Sequence, residues 1–151
     1  KVSINTAAHE NIKFIKDASS EFGSQCIVSS IEAKKIDENK WEVYIDNGRE
    51  PTGLNVLEWA KEVENEGAGE IVITSVNKEG IGDGFDLNLI KQISDMTNIS
   101  LIANGGAGSK EDILKNSLMN AIECRFGSEN LCHLRRDDLA FLLISNSRES
   151  S

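Results

Sequence analysis

The sequence predicts an α/β fold, a parallel sheet whose strands are joined by crossover helices, and among such folds a (β/α)8 TIM barrel. Two observations predict it. Short β-branched runs alternate with longer helical segments, the order that a parallel sheet requires. A strand–loop–helix unit also repeats. Ile4-Asn5-Thr6-Ala7-Ala8 resembles Ala103-Asn104-Gly105-Gly106-Ala107, and Ile27-Val28-Ser29-Ser30-Ile31 after Gly23 resembles Ile71-Val72-Ile73-Thr74-Ser75-Val76 after Gly67. The competing open sheet for dinucleotides lacks support, because no GxGxxG opens a helix after the first strand.

Residues 2–5 read as the first strand. Residues 9–22 read as a helix with Ile12, Ile15, Ala18, Ser19 and Phe22 on one face, ended by Gly23. Residues 26–31 are apolar enough for a strand buried on both faces. Residues 42–45 form one arm of a hairpin turning at Asp46-Asn47-Gly48. A helix over 56–66 is closed by Gly67, and an Ile- and Val-rich strand follows over 70–76. A helix over 87–96 and a strand over 100–103 come next. Ser109, with Asp112 three residues on, reads as a capping box that opens a helix running to about residue 119.

Beyond residue 119 the pattern breaks. Another buried strand is due, but the chain offers Glu123-Cys124-Arg125-Phe126-Gly127-Ser128-Glu129-Asn130, then a basic Arg135-Arg136, an apolar run over 139–144 and a Ser-rich end. Residues 120–151 therefore stand apart from 1–119 as an atypical tail, out of frame or not folded. The chain opens at Lys1 directly on a strand, from which a missing upstream piece is expected.

With 39% hydrophobic and 27% charged residues, a packed domain is expected rather than disorder. The net charge of −9 argues against nucleic acid. It leaves room for a small phosphorylated ligand, which backbone N–H groups hold without Lys or Arg. The longest apolar run is too short to span a bilayer, so no membrane association is expected. Cys26, Cys124 and Cys132 are odd in number and lack CxxC spacing, which fits a reducing cytoplasm and neither a disulfide framework nor zinc. His9 and His133 have no nearby ligand set or nucleophile, so no metal is expected.

Asn104-Gly105-Gly106-Ala107-Gly108-Ser109 is the strongest local signal. Small residues after a strand let N–H groups approach a phosphate, and the next helix adds its positive end. A tight turn needing positive φ has the same composition. Asn5 and Thr6 occupy the equivalent place on the first strand, as a second phosphate site or as helix caps. Glu79-Gly80-Ile81-Gly82-Asp83-Gly84 is a Gly-rich loop that reads as a lid, a source of N–H groups or a plain surface loop. Glu32, at a strand end, would point into a barrel mouth and could shuttle a proton, or simply be solvated. The other strand-end carboxylates to weigh are Glu79 and Asp86. Lys1 and Glu70 fall at strand starts on the opposite face, where they pair as ions.

Taken in order and spacing, several segments resemble the cyclase subunit of imidazole glycerol phosphate synthase. They are Lys1 to Ala8, Phe22-Gly23-Ser24-Gln25, Ile31-Glu32-Ala33-Lys34-Lys35, Thr52-Gly53 with Trp59, Gly67-Ala68-Gly69-Glu70-Ile71, and Asn104 to Gly108. The resemblance covers about residues 1–119. It implies the C-terminal half of a phosphate-binding (β/α)8 barrel, roughly strands 4 to 7. It also implies a lyase of histidine biosynthesis with no cofactor, which takes ammonia from a glutaminase partner in a heterodimer and turns a bisphosphorylated ribulosyl aminoimidazole carboxamide substrate into imidazole glycerol phosphate. By position, Glu32 falls on one of two catalytic carboxylates. Asn5 and Thr6 fall on one phosphate site, and Glu79, Gly80, Asn104, Gly105 and Gly106 on the other. Lys1 and Glu70 fall on the ammonia gate. Three departures stand out. Glu32 replaces a usual Asp, with a methylene that weakens proton transfer. Asn77-Lys78-Glu79-Gly80 replaces Asp-Arg-Asp-Gly, and Asn104 replaces Ser. The strand bearing the general acid is absent, so the chain alone is expected to be inactive. These departures, with Trp41, Gly48 and Trp59, also lean toward a divergent branch that pairs with an amidotransferase acting on surface-polysaccharide sugars. A non-catalytic phosphate-binding half-barrel is the remaining alternative.

Overall fold

The protein is described from a computed structural model, which covers residues 1–113 together with the backbone of residues 123–126 and 130–132. Five strands form a parallel ladder: β1 (Val2–Ile4), β2 (Ile27–Asp37), β5 (Glu70–Ser75), β6 (Ser100–Asn104) and β7 (Glu123–Phe126). Between β2 and β5 a hairpin, β3 (Lys40–Ile45) and β4 (Glu50–Asn55), adds antiparallel strands beside β2. One edge of β2 is taken by β5. The other is shared by β1, along residues 27–29, and by β3, along residues 32–37.

The crossovers are helical, as the alternation requires: α1 (Thr6–Glu10) and α2 (Lys13–Phe22) after β1, α3 (Val56–Asn65) before β5, and α4 (Leu87–Met96) before β6. Another helix opens at residue 110. Their apolar stripes follow the helical period, with Val56, Ala60 and Val63 on α3 and Leu89, Ile90 and Ile93 on α4 all buried. They pack on one face of the sheet, against Ile27, Ile31, Ile71, Ile73, Leu101 and Ala103. Each of those buried isoleucines contributes about 1.5–3 kcal/mol of transfer free energy.

Local chemistry sets the helix starts. Asn55 caps α3 by accepting the Leu57 N–H at 2.8 Å and the Glu58 N–H at 3.3 Å. Asp86 caps α4 through the Leu89 N–H at 3.2 Å, and its second oxygen accepts the Trp41 indole N–H at 2.9 Å. One carboxylate thus fastens the hairpin to α4. The Ser109–Asp112 capping box forms as expected: Ser109 Oγ accepts the Asp112 N–H at 3.2 Å, and Asp112 Oδ2 accepts the Ser109 N–H at 3.0 Å.

Several expectations change. The helix expected over 9–22 is two helices, because Asn11 leaves helical space and its side chain accepts the Lys13 N–H at 3.2 Å. Phe22, expected on the buried face, is 65% exposed, while Ile15 is fully buried. The strand expected to end at residue 31 runs on to Asp37, because β3 pairs with its far half. The expected hairpin forms, and β4 is its second arm, whose extent was not foreseen; Pro51 disguises it, and a proline is tolerated there because the strand lies at the sheet edge. Where no continuation of the pattern is legible after residue 119, β7 pairs parallel with β6 and antiparallel with β8 (Asn130–Cys132). The rest of the expected tail over 120–151 lies outside the described residues.

Candidate active site

The second face of the sheet is concave and carries a different set of side chains. Because successive strand residues point to opposite faces, the partners of the helix-facing residues line this side: Ser3 on β1, Val28, Ser30 and Glu32 on β2, Glu70, Val72 and Thr74 on β5, and Ile102 and Asn104 on β6. They bound a cavity of about 500 Å³.

Register sorts these residues into levels. Val28 lies beside Glu70, which lies beside Ser100, at the strand starts; Ser30, Val72 and Ile102 follow; Glu32, Thr74 and Asn104 form the last row. That last row sits at the C-terminal ends of β5 and β6, where the following loops begin. Within it, Asn104 Nδ2 donates to Thr74 Oγ1 at 3.1 Å. Glu32 is half-buried and accepts the Gly48 N–H through Oε2 at 2.8 Å. Asn47 and Gly48, at the hairpin tip, therefore border the cavity beside Glu32.

Glu79 also borders the cavity, and the loops after β5 and β6 meet beside it. Gly84 donates its N–H to the Gly106 carbonyl at 2.8 Å. A β-carbon on Gly105 would lie 2.9 Å from the Ser75 carbonyl and 3.5 Å from Glu79 Cα; one on Gly106 would collide with the Gly84 carbonyl. The Gly-Gly pair is thus needed for backbone packed on backbone. The Glu79 N–H itself is engaged with the Ser75 carbonyl at 3.0 Å. Glu79, Asn104, Gly105 and Gly106 come together, with Gly80 following Glu79 in open space.

Asn5 and Thr6 lie apart from this cavity lining, at the C-terminal end of β1 where α1 begins. Asn5 makes no side-chain cap, so the capping alternative does not account for its amide. At the opposite end of the sheet Lys1 and Glu70 form the expected ion pair. Asp86 is a structural carboxylate, occupied by its helix cap and by Trp41. His9 meets Trp59 edge-on, with ring centroids 6.5 Å apart. Among the described residues no group of three or more His, Cys, Asp and Glu side chains is arranged to hold a metal, and no helix is long and apolar enough to cross a membrane. His133 lies outside the described residues.

Sequence reasoning missed Ser3, Ser30 and Thr74, although counting by twos from Glu32 and Glu70 reaches Ser30 and Thr74. It read the Asp46-Asn47-Gly48 turn but not its return over the end of β2, which depends on hairpin curvature.

A concave parallel sheet, helices on its outer face and polar side chains gathered at the strand C-termini define a segment of a (β/α)8 barrel. Residues 1–124 match the family described as Histidine biosynthesis protein, and the chain belongs to that family. It is similar to three proteins named imidazole glycerol phosphate synthase subunit HisF. The protein from Legionella pneumophila is 54% identical over 112 residues, which are 74% of this chain and 53% of that protein. The one from Hydrogenobaculum sp. (strain Y04AAS1) is 50% identical over 115 residues, 76% and 46% of the two chains. The one from Prochlorococcus marinus (strain MIT 9515) is 52% identical over 115 residues, 75% and 45%. The chain spans about half the length of the curated relatives it matches.

Proposed function

We propose that this chain is the part of an imidazole glycerol phosphate synthase cyclase subunit that carries Glu32 as one catalytic carboxylate and the Gly105-Gly106 loop as one phosphate site. The observation that carries the reading is the row Glu32, Thr74 and Asn104, which places Glu32, inside β2, level with the C-terminal ends of β5 and β6, with Glu79 and the two glycines beside it. In the complete barrel, Glu32 moves a proton while ammonia is incorporated, and a second carboxylate on a preceding strand acts as the general acid. Asn5 and Thr6 hold the second phosphate. Lys1 and Glu70 gate ammonia delivered by a glutaminase partner at the strand-start end. The enzyme is a cytoplasmic lyase of histidine biosynthesis that needs no cofactor.

One carboxylate cannot serve as both acid and base at once, so the chain alone is inactive. The test is ammonia-dependent formation of imidazole glycerol phosphate by the purified chain, and by the chain completed with the preceding half of the Legionella pneumophila relative. The expected result is no turnover above background for the first and turnover for the second. Turnover by the chain alone, or none by a folded completed barrel, contradicts the reading.

Asn104 and Glu32, which depart from the family's usual Ser and Asp, favour a second reading: a divergent cyclase-like subunit supplying an amidotransferase that modifies surface-polysaccharide sugars. The Trp41 and Trp59 part of that likeness is core packing, since both rings are buried.

A further inference from the structure

We infer that Gly48 is a positioning residue for Glu32: the tip of the β3–β4 hairpin holds the carboxylate at the mouth of the cavity through its backbone N–H. The inference rests on the proposed role of Glu32 and adds an element outside the strand ends and the phosphate loops. Three observations carry it. First, the Gly48 N–H to Glu32 Oε2 bond is 2.8 Å long and half-buried, a charge-assisted bond stronger than a neutral one. Second, the geometry at the tip leaves little choice of residue. Asp46, Asn47 and Gly48 have successive φ values of 52°, 57° and 73°, closed by the Arg49 N–H to Ile45 carbonyl bond at 3.1 Å. A β-carbon on Gly48 would lie 3.0 Å from Val76 Cγ1, at the end of β5. Third, the hairpin is anchored far from its tip. Trp41 and Val43 are buried, and Trp41 is bonded to the Asp86 cap of α4. Thr52 Oγ1 donates to the Val43 carbonyl at 2.7 Å. The tip is thus a fixed donor rather than a loose loop, and it fixes where the longer Glu side chain ends.

The direct test is the Gly48 amide, followed by ¹H–¹⁵N correlation in the intact chain. In Glu32→Gln its proton moves upfield and its hydrogen exchange rises at least tenfold. In Glu42→Gln, which makes the acceptor of the Gly53 N–H on the same hairpin neutral, both stay as in the parent. The second arm uses the completed barrel. Gly48→Ala keeps the backbone N–H but strains the φ of 73° at the tip; combined with Val76→Ala, which gives the β-carbon room so that the variant folds, it shifts the donor off Glu32 and is expected to lower kcat at least tenfold with KM unchanged within threefold. A Gly48 amide indifferent to Glu32→Gln overturns the inference, and so does an unchanged kcat in the double variant. A parent barrel that binds substrate without turnover contradicts the proposed function instead, and the amide experiment then decides the inference alone.

Discussion

Asn104 and Thr74 are joined side chain to side chain across β5 and β6, with Asn104 Nδ2 donating to Thr74 Oγ1 at 3.1 Å on the same level as Glu32. The bond fixes the amide of Asn104 at the root of the Gly105-Gly106 loop. Asn104→Ala is expected to cost about 1 kcal/mol of stability, a typical net value for one such bond. It should also weaken binding of inorganic phosphate, followed through the Gly105 and Gly106 amide resonances. An unchanged urea midpoint with unchanged phosphate shifts counts against this role.

The two glycine loops make a contrasting pair of predictions. Gly106 has φ +104° and no room for a β-carbon beside the Gly84 carbonyl, whereas Gly80 has φ +73° and open space. Gly106→Ala adds overpacking to backbone strain and is expected to cost about 3 kcal/mol or more. Gly80→Ala carries strain alone, about 1–2 kcal/mol. Equal losses in chemical denaturation would falsify the account of loop packing.

Much of this was legible beforehand. The parallel order and the capping box at Ser109 follow from residue type and spacing, because one is an alternating and the other a short-range pattern; the ion pair of Lys1 with Glu70, 69 residues apart, follows from both falling at the starts of parallel strands. The parts that were not legible depend on tertiary geometry. Asn11 breaks a helix whose apolar spacing continues across it, and Phe22 keeps the right phase but lies beyond the packed surface. β4 hides behind Pro51. The hairpin tip reaches Glu32 only because β2 runs on to Asp37 and brings β3 back.

Glu64 gives a pH-dependent prediction. Burial pushes its carboxyl up, but the Lys61 ammonium at 2.7 Å and the Asn98 N–H at 2.7 Å outweigh this and hold it below the ordinary carboxylate value. A carboxyl whose folded pKa is depressed contributes stability above its unfolded pKa, and loses that contribution as pH falls through the folded value. Glu64→Gln should therefore destabilise the chain at neutral pH, and the difference should shrink as the pH falls below about 4. A difference that stays constant across that window in pH-resolved thermal melts is the contrary result.

The Lys1–Glu70 pair is half-exposed on the lysine side, so its direct contribution to stability is small, under about 1 kcal/mol. On the proposed gating role, Glu70→Gln in the completed barrel with its glutaminase partner lowers glutamine-driven turnover at least fivefold. Turnover with added ammonia changes less than twofold. Equal losses in both assays would assign the pair to structure alone.

The most direct measurement of the central claim is the kcat of the completed barrel with ammonia, carrying Glu32 or Glu32→Gln. The account predicts a loss of about 100-fold or more, the ordinary size of a general acid–base contribution, with substrate KM unchanged within threefold. A Glu32→Gln barrel that turns over at the parent rate would contradict it, and would move the chemistry away from the row of Glu32, Thr74 and Asn104.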